Sequence, residues 1–108
     1  MKWFRCFIAG ENFPGWLINY HEGRVGFYTT RWVEAESKLH AEMLALRKLR
    51  ADPDFQVDPG TPDAQLARVT FEVIEEIAPP ISYIEDVSWF PMNDAAVREA
   101  AANTVPFA

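Results

Sequence analysis

The side chains that could carry out chemistry are few and scattered in this chain of 108 residues. The only cysteine is Cys6, and the only histidines are His21 and His40. Cys6 alternates with Phe4 and Ile8 along a predicted strand, which indicates a buried thiol rather than a nucleophile. A metal site would need both histidines and a carboxylate in one place, and the chain contains no zinc, nucleotide-binding or hydrolase motif. The sequence therefore predicts no metal site, no cofactor and no catalytic residue.

Two pairs of adjacent acids, Glu75-Glu76 and Glu85-Asp86, lie in or beside predicted strands. Adjacent strand residues point to opposite faces of a sheet, so neither pair can converge as an acid/base dyad. We expect these carboxylates to be edge or surface charges that discourage aggregation.

One candidate ligand pocket remains, at an end of the predicted layer of helix and sheet. Arg31, Glu36 and His40 could line it, and the protein would then be a small-ligand-binding protein or an enzyme. The simpler interpretation of Glu36 and His40 is a solvated helix flank, because residues four apart on a helix are neighbours.

The chain is organised around residues 26–50, which predict a strand that runs directly into a helix. Aromatic and β-branched residues at 27–33 favour the strand. Acidic residues near 34–36 and basic residues near 47–50 complement the dipole of a helix over 34–50. Its apolar stripe is predicted to comprise Ala35, Leu39, Met43, Leu46 and Leu49. Asp52-Pro53 should end the helix, since proline supplies no N–H.

The remaining elements are predicted from alternation and turn residues. Together with the central strand, which spans 25–33, strands are expected at 2–9, 68–77 and 81–90. A turn is expected at 10–15, a long Pro/Asp-rich loop over 51–67 and a short helix over 94–102. Residues 68–77 also fit a helical period, but their β-branched content favours a strand. Residues 103–108 are expected to fray.

These elements predict a single α+β domain over residues 1–108. We expect an antiparallel sheet of four or five strands with the main helix on one face. The pattern resembles ferredoxin-like and double-stranded-RNA-binding-like folds, which implies a ferredoxin-like or related two-layer sandwich.

Charge and apolar length exclude some classes of partner. The formal net charge is −6, and the first 50 residues carry eight basic and five acidic side chains against two and eleven in the remainder. An acidic chain has no general attraction to phosphate backbones, so we predict no nucleic-acid binding. The apolar run at the N-terminus is too short for a signal peptide or a membrane span, and one cysteine fits a reducing compartment. We predict a cytoplasmic protein without a membrane partner.

The aromatic residues suggest a surface that binds a partner. The chain has four Trp, eight Phe and three Tyr, and both faces of the leading strands carry large apolar groups. One helix covers only one face, which leaves Trp3 and Phe7 of the first strand outside, unless residues 13–20 or the C-terminal tail fold over them. On the central strand, Val25, Phe27 and Val33 alternate with Tyr28 and Trp32, so whichever set faces the helix leaves the other uncovered. The partner-binding residues are predicted to be Trp3, Phe7, Tyr28 and Trp32. We therefore predict a non-enzymatic interaction or regulatory module that forms a homo-oligomer, most simply a dimer, or binds another protein.

Overall fold

The computed structural model describes residues 1–20, 23–58, 60–93 and 105–107. The predicted α+β class is confirmed. The strands are β1 (Lys2–Pro14), β2 (Arg24–Ala35), β3 (Arg68–Ile77), β4 (Val87–Pro91) and β5 (Val105–Pro106). The helices are α1 (Lys38–Ala51) and the short α2 (Pro62–Leu66), with 3-10 helices at Gly15–Ile18 and Pro53–Phe55.

The strands form one antiparallel sheet with the order β4-β2-β1-β3-β5. Strands β1 to β4 make up its body, since β5 has only two residues. The described order β-β-α-β-β differs from the β-α-β-β-α-β order of ferredoxin-like domains, so that part of the prediction is not confirmed.

Strand β1 is longer than the predicted 2–9, because a bulge replaces the expected turn. Its register with β2 shifts between Gly10 and Phe13, and Asn12 lies in the left-handed region with φ of 59°. Asparagine tolerates this conformation better than most residues. A Cβ on Gly10 would lie 1.9 Å from the Phe27 ring, so glycine at this position lets the ring pack against the strand.

Strand β2 and helix α1 also have different bounds from those predicted. The strand continues to Ala35, and the helix begins at Lys38 after the N-cap Ser37, rather than at residue 34. Ser37 has extended backbone angles and accepts a hydrogen bond from the His40 N–H, which is the geometry of a helix start.

The predicted apolar stripe of α1 is right at Leu49 but wrong at two other large members. Leu39 and Met43 are 67% and 55% exposed, whereas the buried face consists of Ala41, Ala45 and Leu49. Alanine side chains let the helix lie close to a sheet whose own phenylalanines fill the space between the layers.

The core lies between α1 and one face of the sheet. Its largest fully buried side chains are Phe13, Phe27, Phe55, Ile8, Leu49, Val25 and Val69. Leu17 and Tyr20 pack against this same cluster, as does Phe107, which is 3% exposed. Segment 13–20 and the described part of the tail therefore pack on the helix side of the sheet. Residues 105–107 belong to the tail that was predicted to fray, and in the structure they pair with β3 and contact the core.

The second half of the chain matches the predictions in part. The strand over 68–77 is confirmed as β3, whereas the segment predicted as a loop over 51–67 contains a 3-10 helix and the short helix α2. The strand expected over 81–90 is present only as β4, and residues 78–86 form a connection without regular secondary structure. The helix predicted over 94–102 lies outside the described residues, as does His21 in the predicted hairpin turn.

Candidate functional site

The sheet face directed away from α1, here called the outer face, carries an unusual number of aromatic side chains. Because neighbours along a strand point to opposite faces, burying Phe4, Cys6 and Ile8 under α1 directs the residues between them outward. The outer face comprises Trp3, Arg5 and Phe7 from β1, Tyr28, Thr30 and Trp32 from β2, Val73 and Glu75 from β3, and Phe90 from β4. The four residues predicted to bind a partner, Trp3, Phe7, Tyr28 and Trp32, all lie on it.

The first aromatic group on this face, here called the Tyr28 stack, comprises Phe7, Tyr28 and Phe90. The rings of Phe7 and Tyr28 are stacked at 5.6 Å with an angle of 8° between their planes, and Phe90 lies 5.2 Å from Tyr28. Tyr28 remains 46% exposed and Phe7 38% exposed. A Cβ on Gly26 would lie 2.4 Å from the Phe90 ring, so the absence of a side chain there lets Phe90 lie flat on the sheet.

The second group, here called the Trp32 stack, comprises Trp3, Trp32 and Tyr83. The Tyr83 ring stacks on Trp32 at a centroid distance of 5.0 Å, and Trp3 lies 6.3 Å from Tyr83. Tyr83 belongs to the 78–86 connection, which therefore folds onto the outer face and adds an aromatic residue that strand alternation did not predict.

A shallow groove of about 340 Å³ lies between the two stacks. Its lining residues are Arg5, Phe7, Thr30, Trp32, Val73 and Glu75. The Arg5 Nε donates to Glu75 Oε1 at 2.7 Å, so the two charges within the groove neutralise each other. At the far end of the face, burial raises the pKa of the Glu11 carboxyl, and the charge of Glu72 raises it further.

The predicted pocket of Arg31, Glu36 and His40 is not assembled. His40 Nδ1 accepts the Glu36 N–H at 3.0 Å, and the His40 N–H donates to Ser37 Oγ at 3.1 Å, so these residues cap the start of α1. Arg31 makes its contacts at the other end of that helix, with Asp52.

Arg31 is instead a buried structural cation on the helix side of the sheet. Its side chain is only 5% exposed, and Nη1 donates to Asp52 Oδ2 at 3.1 Å. Nε donates to Thr29 Oγ1 at 3.2 Å, Glu85 Oε1 lies 3.9 Å away, and the guanidinium carbon is 5.7 Å from the centre of the Phe55 ring. A buried charge persists only with such partners, and here they tie β2 to the end of α1 and to the 78–86 connection.

Glu85 and Lys48 complete the edge of β2 where β4 no longer pairs with it. The Trp32 N–H donates to Glu85 Oε2 at 3.2 Å, and Lys48 Nζ donates to the Trp32 carbonyl at 3.2 Å. The two side chains also pair with each other at 3.3 Å. They satisfy backbone groups that another strand would otherwise satisfy, which blocks this part of the edge.

Cys6 is fully buried under α1, as its position in the strand predicted. Burial raises the pKa of its thiol to about 11, the nearby charge of half-buried Glu42 adds to the rise, and Lys48 opposes it. A thiol of this kind is protonated and inert at neutral pH.

The described part of the chain has neither a cluster of metal ligands nor a helix that could span a membrane. No group of three or more His, Cys, Asp or Glu side chains among those residues is placed to hold a metal ion. Within the same residues, no helix has the length and apolar character needed to cross a membrane. Comparisons with protein-family models, curated proteins and solved structures found no match to this chain.

Proposed function

We propose that this protein is a small, non-enzymatic interaction or regulatory module of the cytoplasm whose outer face binds a second copy of the chain. The observation that carries this proposal is the pair of partly exposed aromatic stacks on a continuous sheet. Large contiguous aromatic patches on soluble domains are typical of interaction sites.

A second copy is favoured over another partner because the charges at the centre of the outer face cancel. Its central charges, Arg5 and Glu75, form a neutral pair, so two such faces can meet without net repulsion despite the overall charge of −6. In a two-fold arrangement the Arg5 of one copy can also approach the Glu75 of the other.

The area of the outer face is also of the order that a dimer interface needs. Strands β1 to β4 have 13, 12, 10 and 5 residues. At about 3.3 Å per residue and about 4.8 Å between strands they cover roughly 600 Å² in projection, before the relief of the side chains is counted. Stable interfaces bury about 800 Å² on each partner. The aromatic stacks and their polar surroundings can supply an area of this order.

The alternative, a small-ligand-binding protein or enzyme whose pocket uses Arg31, Glu36 and His40, has less support. Arg31 contacts Asp52 at one end of α1, whereas the other two residues cap its beginning. A ferredoxin-like arrangement also remains only a hypothesis, and a related two-layer sandwich suits the order of the described elements better.

Sedimentation equilibrium of the purified protein tests the proposal. We expect a mass of twice 12.3 kDa at high micromolar concentration. Tyr28→Ala and Trp32→Ala should each weaken association by about 30-fold, as expected for aromatic residues at the centre of an interface. Leu39→Ala is the matched control, since this 67% exposed side chain lies on α1 and away from the outer face.

A strictly monomeric wild-type protein would overturn the homodimer. Equal weakening by Leu39→Ala would also overturn it, because association would then involve the helix rather than the outer face. Thermal unfolding of each variant separates loss of assembly from loss of the fold.

A further inference from the structure

A second concave surface lies away from the outer face, on the helix side of the sheet. It is a cleft of about 420 Å³, within the range of small-ligand sites. Its lining residues are Trp16, Leu17 and Ile18 from the first 3-10 helix, Pro53, Asp54 and Gln56 from the second and its end, and Trp89 from β4.

The Trp89 wall of the cleft is fixed by the core. The Trp89 ring lies 5.3 Å from Phe27 and 5.6 Å from Phe55, both of which are fully buried. Phe55 follows Asp54 directly, so burial of the phenylalanine also fixes the backbone that carries the carboxylate. The Trp89 ring and the Asp54 backbone are therefore held in place before any ligand binds.

The other two walls are held by hydrogen bonds, one by backbone–backbone bonds and the other by a side-chain amide that donates to backbone carbonyls. The Gly15 N–H donates to the Gly23 carbonyl at 3.0 Å and the Tyr20 N–H to the Gly15 carbonyl at 2.9 Å, which closes the 3-10 helix that presents Trp16. Gln56 Nε2 donates to the carbonyls of Arg50 and Asp52 at 3.2 and 3.0 Å. A site built in this way needs little reorganisation on binding, which favours affinity.

The lining combines two indole rings with one carboxylate. Trp16 is 48% exposed and displays part of its ring to the cleft. The Asp54 N–H donates to Asp52 Oδ1, but the Asp54 carboxylate itself has no partner among the described residues. Indole faces attract cations, most strongly where a carboxylate is close, and the net charge of −6 adds a long-range attraction.

We propose that this cleft binds an organic cation, namely an ammonium or guanidinium group on a short carbon chain. The cationic head would lie against the indoles of Trp16 and Trp89 with Asp54 as its counter-ion, and the carbon chain would lie along Leu17 and Ile18. The same chemistry is presented by a small amine and by a lysine or arginine side chain of another protein. This site is independent of the proposed self-association, because none of its residues lies on the outer face.

Indole N–H resonances of protein labelled with ¹⁵N-tryptophan provide the test. Titration with n-butylammonium should shift the Trp16 and Trp89 signals saturably, with a dissociation constant of about 1 mM or tighter, and leave Trp3 and Trp32 unchanged. n-Butanol is the neutral control of the same size. Short capped peptides with a central lysine, arginine or norleucine form the second arm, and tighter binding of the cationic peptides would identify a protein side chain as the source.

Two matched aspartate substitutions test whether Asp54 is the counter-ion of the bound cation. Asp54→Asn should weaken n-butylammonium binding about tenfold, whereas Asp58→Asn makes the same charge change outside the cleft and should have less than about a twofold effect. Trp16→Leu should also weaken it. Absence of shifts, equal shifts with n-butanol, or equal effects of the two aspartate substitutions would each overturn the proposal. Because sedimentation of the same samples reports association separately, failure of either proposal can be distinguished from failure of the other.

Discussion

Cys6 and Arg31 face each other across β1 and β2, and burial affects them in opposite ways. The thiol can stay neutral, so the interior tolerates it without a strong hydrogen bond. The guanidinium remains charged, so it needs Asp52, Thr29 and Glu85 around it. Alternation along the strands was enough to predict the burial of Cys6. The partners of Arg31 are distant in sequence and depend on the end of α1, so no local pattern indicated them.

The raised pKa of Cys6 predicts a specific loss of stability in alkali. Its folded pKa is about 11 against 9.0 for the free thiol. Below pH 9.0 both states hold the proton, whereas between 9.0 and 11 only the unfolded state releases it, so stability falls as the pH rises. The full loss is about 2 to 3 kcal/mol of unfolding free energy.

Urea titrations of the wild type and Cys6→Ala at neutral pH and at pH 11 measure this effect. Other effects of alkali on the chain are common to both proteins and cancel in the comparison. The wild type should lose about 2 to 3 kcal/mol more than the variant between the two conditions. Equal losses of unfolding free energy would show that burial does not raise the pKa of the Cys6 thiol.

At the scale of elements, the alternation along strands predicted which side chains are buried better than the helical period did. The division of β1 into Phe4, Cys6 and Ile8 inside and Trp3 and Phe7 outside is confirmed, because a strand face needs only a period of two. The bulge after Gly10 was missed since the same residues also favour a turn.

The error in α1 has a different physical cause. Hydrophobicity placed Leu39 and Met43 inward, but the space under the helix is already occupied by phenylalanines of the sheet and of the 53–55 turn. Only a face of small residues, Ala41 and Ala45, fits at that distance. Either the helix or the sheet can supply the large side chains of the core. The sequence of one helical segment does not reveal which, because that depends on how the two layers pack together.

The observed start of α1 predicts that Ser37 stabilises the domain. Its Oγ accepts the His40 N–H at 3.1 Å, satisfying one of the donors left free in the first helical turn. Ser37→Ala should therefore lower the unfolding free energy by about 1 kcal/mol in urea titrations. Ser82→Ala, in the exposed 78–86 connection, is the matched control and should change it by less than about 0.5 kcal/mol. A helix that began near residue 34 would make the two substitutions equivalent.

At the scale of the whole molecule, an open aromatic sheet face is compatible with two classes of partner. Another protein surface can bury the Tyr28 and Trp32 stacks, and single-stranded RNA can stack its bases on aromatic residues of a four-stranded sheet. The distinction lies in the charges around the rings. RNA binding needs basic side chains that are available to phosphates, and its affinity then falls steeply with added salt.

The charges on the outer face lead us to predict that it does not bind nucleic acid. Arg5, the cation in the groove between the stacks, is already paired with Glu75, and the chain as a whole carries −6. A phosphate backbone on this face would have to displace that carboxylate and approach an acidic domain, which opposes the gain from stacking. Fluorescence anisotropy with labelled oligouridylate and oligothymidylate should therefore show no binding at physiological salt. Glu75→Gln frees Arg5 and provides a sensitive control. Saturable, salt-dependent binding by the wild type that disappears in Tyr28→Ala would contradict the prediction and would make the outer face a nucleic-acid surface instead of a site of self-association.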